Sequence, residues 1–231
     1  MKEKTIKIIV QGGVVVDVKN LPDGYVVQIV DKDVVKEAQK IVGGLSKPGK
    51  MPGPAINLPA WACKTGAKLA KIPGPPCFGC YALKLRYVWP NTIKAMNRRL
   101  AALANPLWVQ AMTTLVKRAA WFRWHDSGDV QSHKHMNVIL EVARSSPGTK
   151  HWMPTQERQF LPDRAAVPAN MIIRLSSSKV NAGPSGAWPW TSSVSTDPAQ
   201  VTCPASKQGN KCRDCRACWD RDVAHIVYPK H

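Results

Sequence analysis

Carboxylates are scarce in this chain. Its 231 residues hold fifteen Asp and Glu against thirty-three Lys and Arg, a formal net charge of +18. The shortage is concentrated: after Glu37 the next acid is Asp126, and the 88 residues between them carry fourteen Lys or Arg. A merely solvated surface normally mixes the two signs. The expected partner is therefore rich in negative charge: a nucleic acid, a phosphate compound or an acidic protein. A basic composition bias of the lineage is the alternative explanation. Long apolar runs are also missing. No stretch approaches the ~18 uncharged apolar residues of a spanning helix, which excludes a membrane protein of that kind. The opening Met1-Lys2-Glu3-Lys4-Thr5-Ile6 lacks an apolar segment followed by a cleavage site, so a cytoplasmic protein is expected rather than a secreted one.

Cysteine, by contrast, is plentiful, at seven residues. An odd count without a signal segment argues against a disulfide framework. The cysteines fall in two groups, Cys63-x13-Cys77-x2-Cys80 and Cys203-x8-Cys212-x2-Cys215-x2-Cys218, each with a C-x2-C unit, and that pattern reads as metal. Three cysteines at successive two-residue gaps resemble the loops that wrap an iron–sulfur cubane, with Cys203 as fourth ligand. A structural zinc site is the alternative. The first group has three thiolates. If it holds a [4Fe–4S] cluster, one iron is left for a small molecule, water or another protein ligand, as catalytic metal sites leave a position open. The rival geometry closes one zinc site from Cys77, Cys80, Cys212 and Cys215. Lys64, Lys68 and Lys71 flank the first group, and Lys207, Lys211, Arg213 and Arg216 the second, so neutralisation of thiolates accounts for part of the basic excess.

The patterning predicts two units. Residues 1–42 form a small β-rich unit: strands over 5–10, 14–19 and 25–30, turns at Gln11-Gly12-Gly13 and around Asn20-Leu21-Pro22-Asp23-Gly24, then a helix over 31–42. Residues 43–231 form the metal-binding domain, opening with a Gly- and Pro-rich ordered loop over 43–59. One helix is expected with Asn91 as N-cap and Ile93, Met96, Leu100 and Leu103 on one face, and a second restarting at Asn105-Pro106. In the second half, apolar runs near 121–124, 150–153, 171–175, 191–194 and 224–227 each end in a polar cluster, with a helix over 131–144 between the first two. Parallel strands with polar residues gathered at their C-terminal ends predict an α/β fold, a partial or irregular (β/α) TIM-barrel-like scaffold with its site at those ends.

The densest polar cluster outside the cysteines is His125-Asp126-Ser127-Gly128-Asp129, after an apolar strand and before a helix. Asp129 suits a general base or a contact to an amine or ribose hydroxyl. An N-cap with a tight turn is the structural alternative.

Leu58-Pro59-Ala60, Cys63, Gly66-Ala67, the run Cys77-Phe78-Gly79-Cys80-Tyr81-Ala82, the His125–Asp129 turn and the late cysteine group, in that order, resemble the phage family called gene product eighty-eight, over roughly residues 45–228. The resemblance implies a viral origin, hence the cytoplasm of an infected host. The three early cysteines with Phe78 or Tyr81 are also similar to the cluster loop of radical S-adenosylmethionine enzymes. Ser127-Gly128-Asp129 stands where that family holds the amino group of its cofactor. The first two cysteines are thirteen residues apart here and three apart in that family. This resemblance implies a [4Fe–4S] cluster at Cys63, Cys77 and Cys80 and S-adenosylmethionine at Ser127, Gly128 and Asp129. As an enzyme, the chain is expected to bind that cofactor or a small-molecule substrate at the strand ends, with His125, Ser127 and Asp129 as the candidate catalytic contacts. The reading from another class is a basic nucleic-acid-binding protein with structural zinc or iron–sulfur sites. In it Lys94, Arg98, Arg99, Lys117 and Arg118 contact phosphate and tryptophans stack on bases.

Overall fold

The computed structural model describes residues 4–13, 22–184 and 186–230. The chain folds as mixed α/β around one six-stranded parallel sheet, with a second sheet of two strands at its N-terminal end. That small sheet pairs β1 (Lys4–Val10) directly with β2 (Tyr25–Asp31), in parallel. The strand expected over residues 14–19 lies outside the described residues. Helix α1 (Lys32–Val42) follows at once. The Asp31 carboxylate caps it by accepting from the backbone of Asp33 and Val34, and Gly43 ends it with a left-handed φ of 83°.

The main sheet runs in sequence order: β3 (Ala55–Ile56), β4 (Trp121–Trp124), β5 (Lys150–Thr155), β6 (Met171–Ser176), β7 (Thr191–Ser195) and β8 (His225–Pro229). All five pairings are parallel. The order is that of a barrel wall, but the wall stays open. Among the described residues, β3 and β8 are edges and no pairing joins them, so of the expected partial barrel the structure shows the α/β class and an open parallel sheet. The sequence shows why. After β4, only the β4–β5 crossover carries a regular helix, α5 (His133–Arg144), capped by Ser132. The later connections are 3₁₀ turns and coil rich in Pro, Gly and Ser, with no α-helix to line the outside of a ring.

Between β3 and β4 lies the long insertion that holds the first cysteines. It contains the four-residue α2 (Gly66–Leu69), α3 (Pro90–Ala102) and α4 (Trp108–Val116). Asn91 is not the cap of α3. Trp89 stands there, and Pro90 takes the first helical position, where its missing N–H costs nothing. Asn105 closes the turn before α4 by accepting from the Leu107 N–H at 2.9 Å.

Strand alternation sends side chains to two buried layers. Phe122, Trp124 and Met153 face the α4 and α5 side with Trp108, Met112 and Ile139, all at 2% exposure or less. Burying each such side chain stabilises the fold by about 1.5–3 kcal/mol. Ala38 and Val42 of α1 join this core through α4. On the other layer Trp121 and Trp152 meet Trp219, whose indole N–H donates to the Phe122 carbonyl at 2.9 Å. The second layer is thus supplied by the late cysteine segment instead of a helix. Burial of both faces explains the apolar run Met171-Ile172-Ile173 of β6.

Candidate metal centre

A cavity of about 190 Å³ opens at the C-terminal ends of β3 to β6. Its lining combines Cys63, Cys77 and Cys80 with His125, Ser127, Gly128 and Asp129. Arg123, Tyr81, Thr155, Gln156 and Ser176 complete its polar wall. A Cβ built on Gly66 would stand 3.2 Å from the Cys63 Cβ and 3.6 Å from the sulfurs of both Cys63 and Cys77. Those two sulfurs are therefore at most twice that distance apart, across a gap where Gly66 presents only hydrogen. All seven cysteines are free thiols and half-buried. Burial pushes the Cys77 thiol up to about 12, with Cys80, Asp129 and Glu157 adding in the same direction, and it raises Cys63 further still. A cationic centre would reverse that logic, exchanging the protons for metal.

The loop is tied to β5 by one buried carboxylate. Glu157 accepts from the Thr65 N–H and the Thr65 hydroxyl, both at 2.7 Å, two residues after Cys63. Tyr81, directly after Cys80, donates its hydroxyl to the Asp126 carbonyl at 2.6 Å. Both ends of the cysteine loop are thus fastened to polar groups that follow strands.

The turn after β4 is held from below. The Leu58 N–H donates to the Ser127 carbonyl at 2.9 Å, and the Ser127 hydroxyl returns a bond to the Leu58 carbonyl at 3.0 Å. Gly128 has φ 75°, and a Cβ there would lie 2.6 Å from the Leu58 Cβ. Asp129 Oδ1 accepts from the Val130 N–H and the Thr155 hydroxyl, and Oδ2 from the Gln156 N–H. Burial still holds its pKa up at about 7. A carboxylate has about four acceptor positions, so two are spent on bridging the β4 loop to β5, one on Val130 in its own loop, and one is left on Oδ2. Asp126 is engaged by Ser46 at 3.0 Å and Tyr87 at 3.2 Å. His125 is 3% exposed, has a left-handed φ of 56°, and neither ring nitrogen has a partner. Burial holds it neutral, well below its ordinary pKa, with His135 and Arg123 nearby acting in the same direction. Backbone strain of that kind collects at functional sites.

The late cysteines form a separate group. Cys203 is a neighbour of both Cys212 and Cys218, and Cys215 of Cys212. Cys203 is pinned to β8 through the Val227 carbonyl at 3.1 Å. Cys212 is pinned to the 43–59 loop through the Lys50 carbonyl at 2.7 Å. Cys218 shares a 3.2 Å contact with the Tyr228 hydroxyl. Its loop is organised by Arg174, fully buried on β6, which donates to the carbonyls of Ala217, Cys218, Asp220 and Val223 at 2.8–3.2 Å. Glu157 and Arg174 were not singled out by sequence reasoning. A charge inside the apolar run Met171-Ile172-Ile173-Arg174-Leu175 was the available signal for the second.

Among the described residues, no three His, Cys, Asp or Glu side chains are gathered tightly enough to hold a single metal ion. The cations of the nucleic-acid reading divide. Arg99 is buried and donates to Asn57 and the Gly44 carbonyl, and Arg98 donates to the Gly43 carbonyl at 3.0 Å, so both guanidiniums serve the end of α1. Lys94, Lys117 and Arg118 are exposed. The last two follow α4 and lead into the N-terminal end of β4, opposite the cavity.

A family model described as gene product 88 matches residues 31–221. The chain belongs to the gene product 88 family. The match takes in both cysteine groups, the turn after β4 and the whole sheet up to β7, in agreement with the phage resemblance of the sequence. No curated protein and no solved structure matches it. No helix among the described residues is long and apolar enough to cross a membrane.

Proposed function

We propose that this family member is an iron–sulfur protein whose accessible cluster sits at the C-terminal ends of the sheet strands and serves a cluster-dependent reaction. The observation that carries the reading is the convergence of Cys63, Cys77 and Cys80 on one cavity that the polar turn His125–Asp129 also lines. Two features of the donor set favour a cluster over a single ion. A tetrahedral zinc at about 2.3 Å from each sulfur needs its thiolates about 3.8 Å apart, and among the described residues no three metal-ligating side chains are gathered for a single ion. Cys63, Cys77 and Cys80 would hold three irons of a cubane, and the fourth would be left without a cysteine ligand. When bound, such a cluster supplies one-electron chemistry at that iron.

The chain's own residues then have distinct tasks. Glu157 and Tyr81 hold the cysteine loop against the strand ends. Asp129 locks the β4 and β5 loops together and keeps one acceptor position for a ligand amine or hydroxyl. Ser127 and Gly128 fix the backbone that presents it. His125, neutral and without a partner, offers a buried donor and acceptor to whatever enters. S-adenosylmethionine belongs to this reading as a candidate ligand on the strength of the family likeness alone. The four late thiols would hold a second centre that also seats Trp219 in the core.

Anaerobic purification followed by iron and acid-labile sulfide analysis tests the proposal. The expected result is a brown protein with iron and sulfide in equal amounts. Cys80→Ala should lose the iron of the first group and keep that of the second. A colourless protein with stoichiometric zinc, or one without metal after anaerobic expression, would overturn it.

A further inference from the structure

The wall of the cavity that carries the three cysteines, residues 61–89, is unusual in what it exposes. Trp61, Phe78 and Trp89 are 43%, 48% and 58% exposed. Between them stand Lys64, Lys68, Lys71, Lys84 and Arg86, all exposed. Among the described residues no ion pair engages these cations, and the segment contains no carboxylate. Arg86 lies 5.8 Å from the Trp89 ring centre, so charge and aromatic face are presented side by side. Lys179 extends the basic rim across the mouth, because its neighbour Val180 donates to the Gly74 carbonyl at 2.9 Å.

We infer that this rim binds a single-stranded nucleic acid across the mouth of the cavity, so that the substrate is a nucleotide within a strand. The inference deepens the proposed function and rests on it in placing the chemistry at the cavity. Free lysines and open aromatic faces together match the phosphates and unpaired bases of a single strand. Duplex reading from a groove would need a helix or ribbon to insert, and the longest helix wholly within this wall is the four-residue α2. An amphipathic helix that would lie on a membrane surface is missing there for the same reason. This placement differs from the one expected at Arg98 and Arg99, whose guanidiniums are spent inside the protein.

The test is fluorescence anisotropy of labelled single-stranded DNA, single-stranded RNA and duplex DNA with the purified, cluster-loaded chain. Binding should fall steeply with salt and favour one or both single strands over duplex. Trp89→Ala should weaken it roughly 5- to 150-fold, the range set by loss of one stacked base. Lys68→Glu with Lys71→Glu should weaken it and flatten the salt dependence. Lys117→Glu with Arg118→Glu, at the opposite end of the sheet, should leave it within about twofold. No binding by folded, iron-containing protein would overturn the inference while leaving the cluster intact. Equal loss in both double variants, or adsorption to anionic phosphatidylserine vesicles without strand binding, would also overturn it. Strand binding by a chain without iron would instead sink the proposed cluster and spare the surface.

Discussion

Glu157 shows how much one side chain can organise. It is fully buried, sits just beyond β5, and receives both donors of Thr65 in the cysteine loop. Glu157→Ala leaves those donors unpaired at a cost of about 1–3 kcal/mol. The expected outcome is a lower denaturation midpoint and a lower iron content after reconstitution, even though no cysteine is touched. Glu157→Gln, which keeps one acceptor, should fall between. His151 makes a second residue-level case. Its Nδ1 accepts from the Trp124 indole at 3.2 Å, and its other nitrogen lies 3.0 Å from the Ser146 hydroxyl, which itself donates to the Val142 carbonyl. That network suits the neutral ring, and burial pushes His151 down to about 4, as it does His135. The unfolded chain therefore takes up protons that the folded chain refuses, so each histidine lowers stability as pH falls from about 6.5 to 4. The slope approaches about 1.4 kcal/mol per pH unit for each. Asp129, held up near 7, acts in the opposite sense over the same range. Because Gln keeps one donor and one acceptor without titrating, His151→Gln should flatten the acid limb of the stability curve by about one proton, measured by urea melts from pH 7 to 4.

Among the elements, β6 and the late cysteine loop depend on each other. Arg174 gives four hydrogen bonds to that loop's backbone, and Trp219 from the same loop fills the core face of β4. Arg174→Lys keeps the charge but not the planar fork. It should destabilise by about 1–3 kcal/mol and speed labelling of Cys218 by a thiol reagent, with secondary structure unchanged by circular dichroism. Elements with strong local signals were readable in advance. The α5 stripe of Met136, Ile139, Leu140 and Ala143, and the five later strands, follow from periodicity and turn residues. Strand β3 was not, because its two residues sit inside a Gly- and Pro-rich segment and become a strand only by pairing with β4. Asn91 misled for the opposite reason: a good capping residue lost its place to Pro90, whose fixed φ already suits the first turn.

At the scale of the whole molecule, six parallel strands in sequence order look the same in sequence whether or not they close. Closure depends on the bulk of the crossovers and on tilt, which one chain's pattern does not state, and here coil replaces the missing helices. The site was more legible than the fold. Cys63, Cys77 and Cys80 and the His125–Asp129 turn surround one cavity although 45 residues separate Cys80 from His125, since parallel strands deliver all their following loops to one end. What sequence could not reveal was which charges remain free. Arg98 and Arg99 read as surface cations until the backbone of α1 claims them.

The contact between Leu58 and Gly128 has a consequence for the lineage. Descendants of this chain can exchange the acids and hydroxyls around the cavity and so alter what it accepts. They cannot put a carbon where Gly128 has a hydrogen without prising two loops apart. Selection on whatever activity this scaffold comes to favour is thereby channelled into side chains and held away from the backbone that carries them.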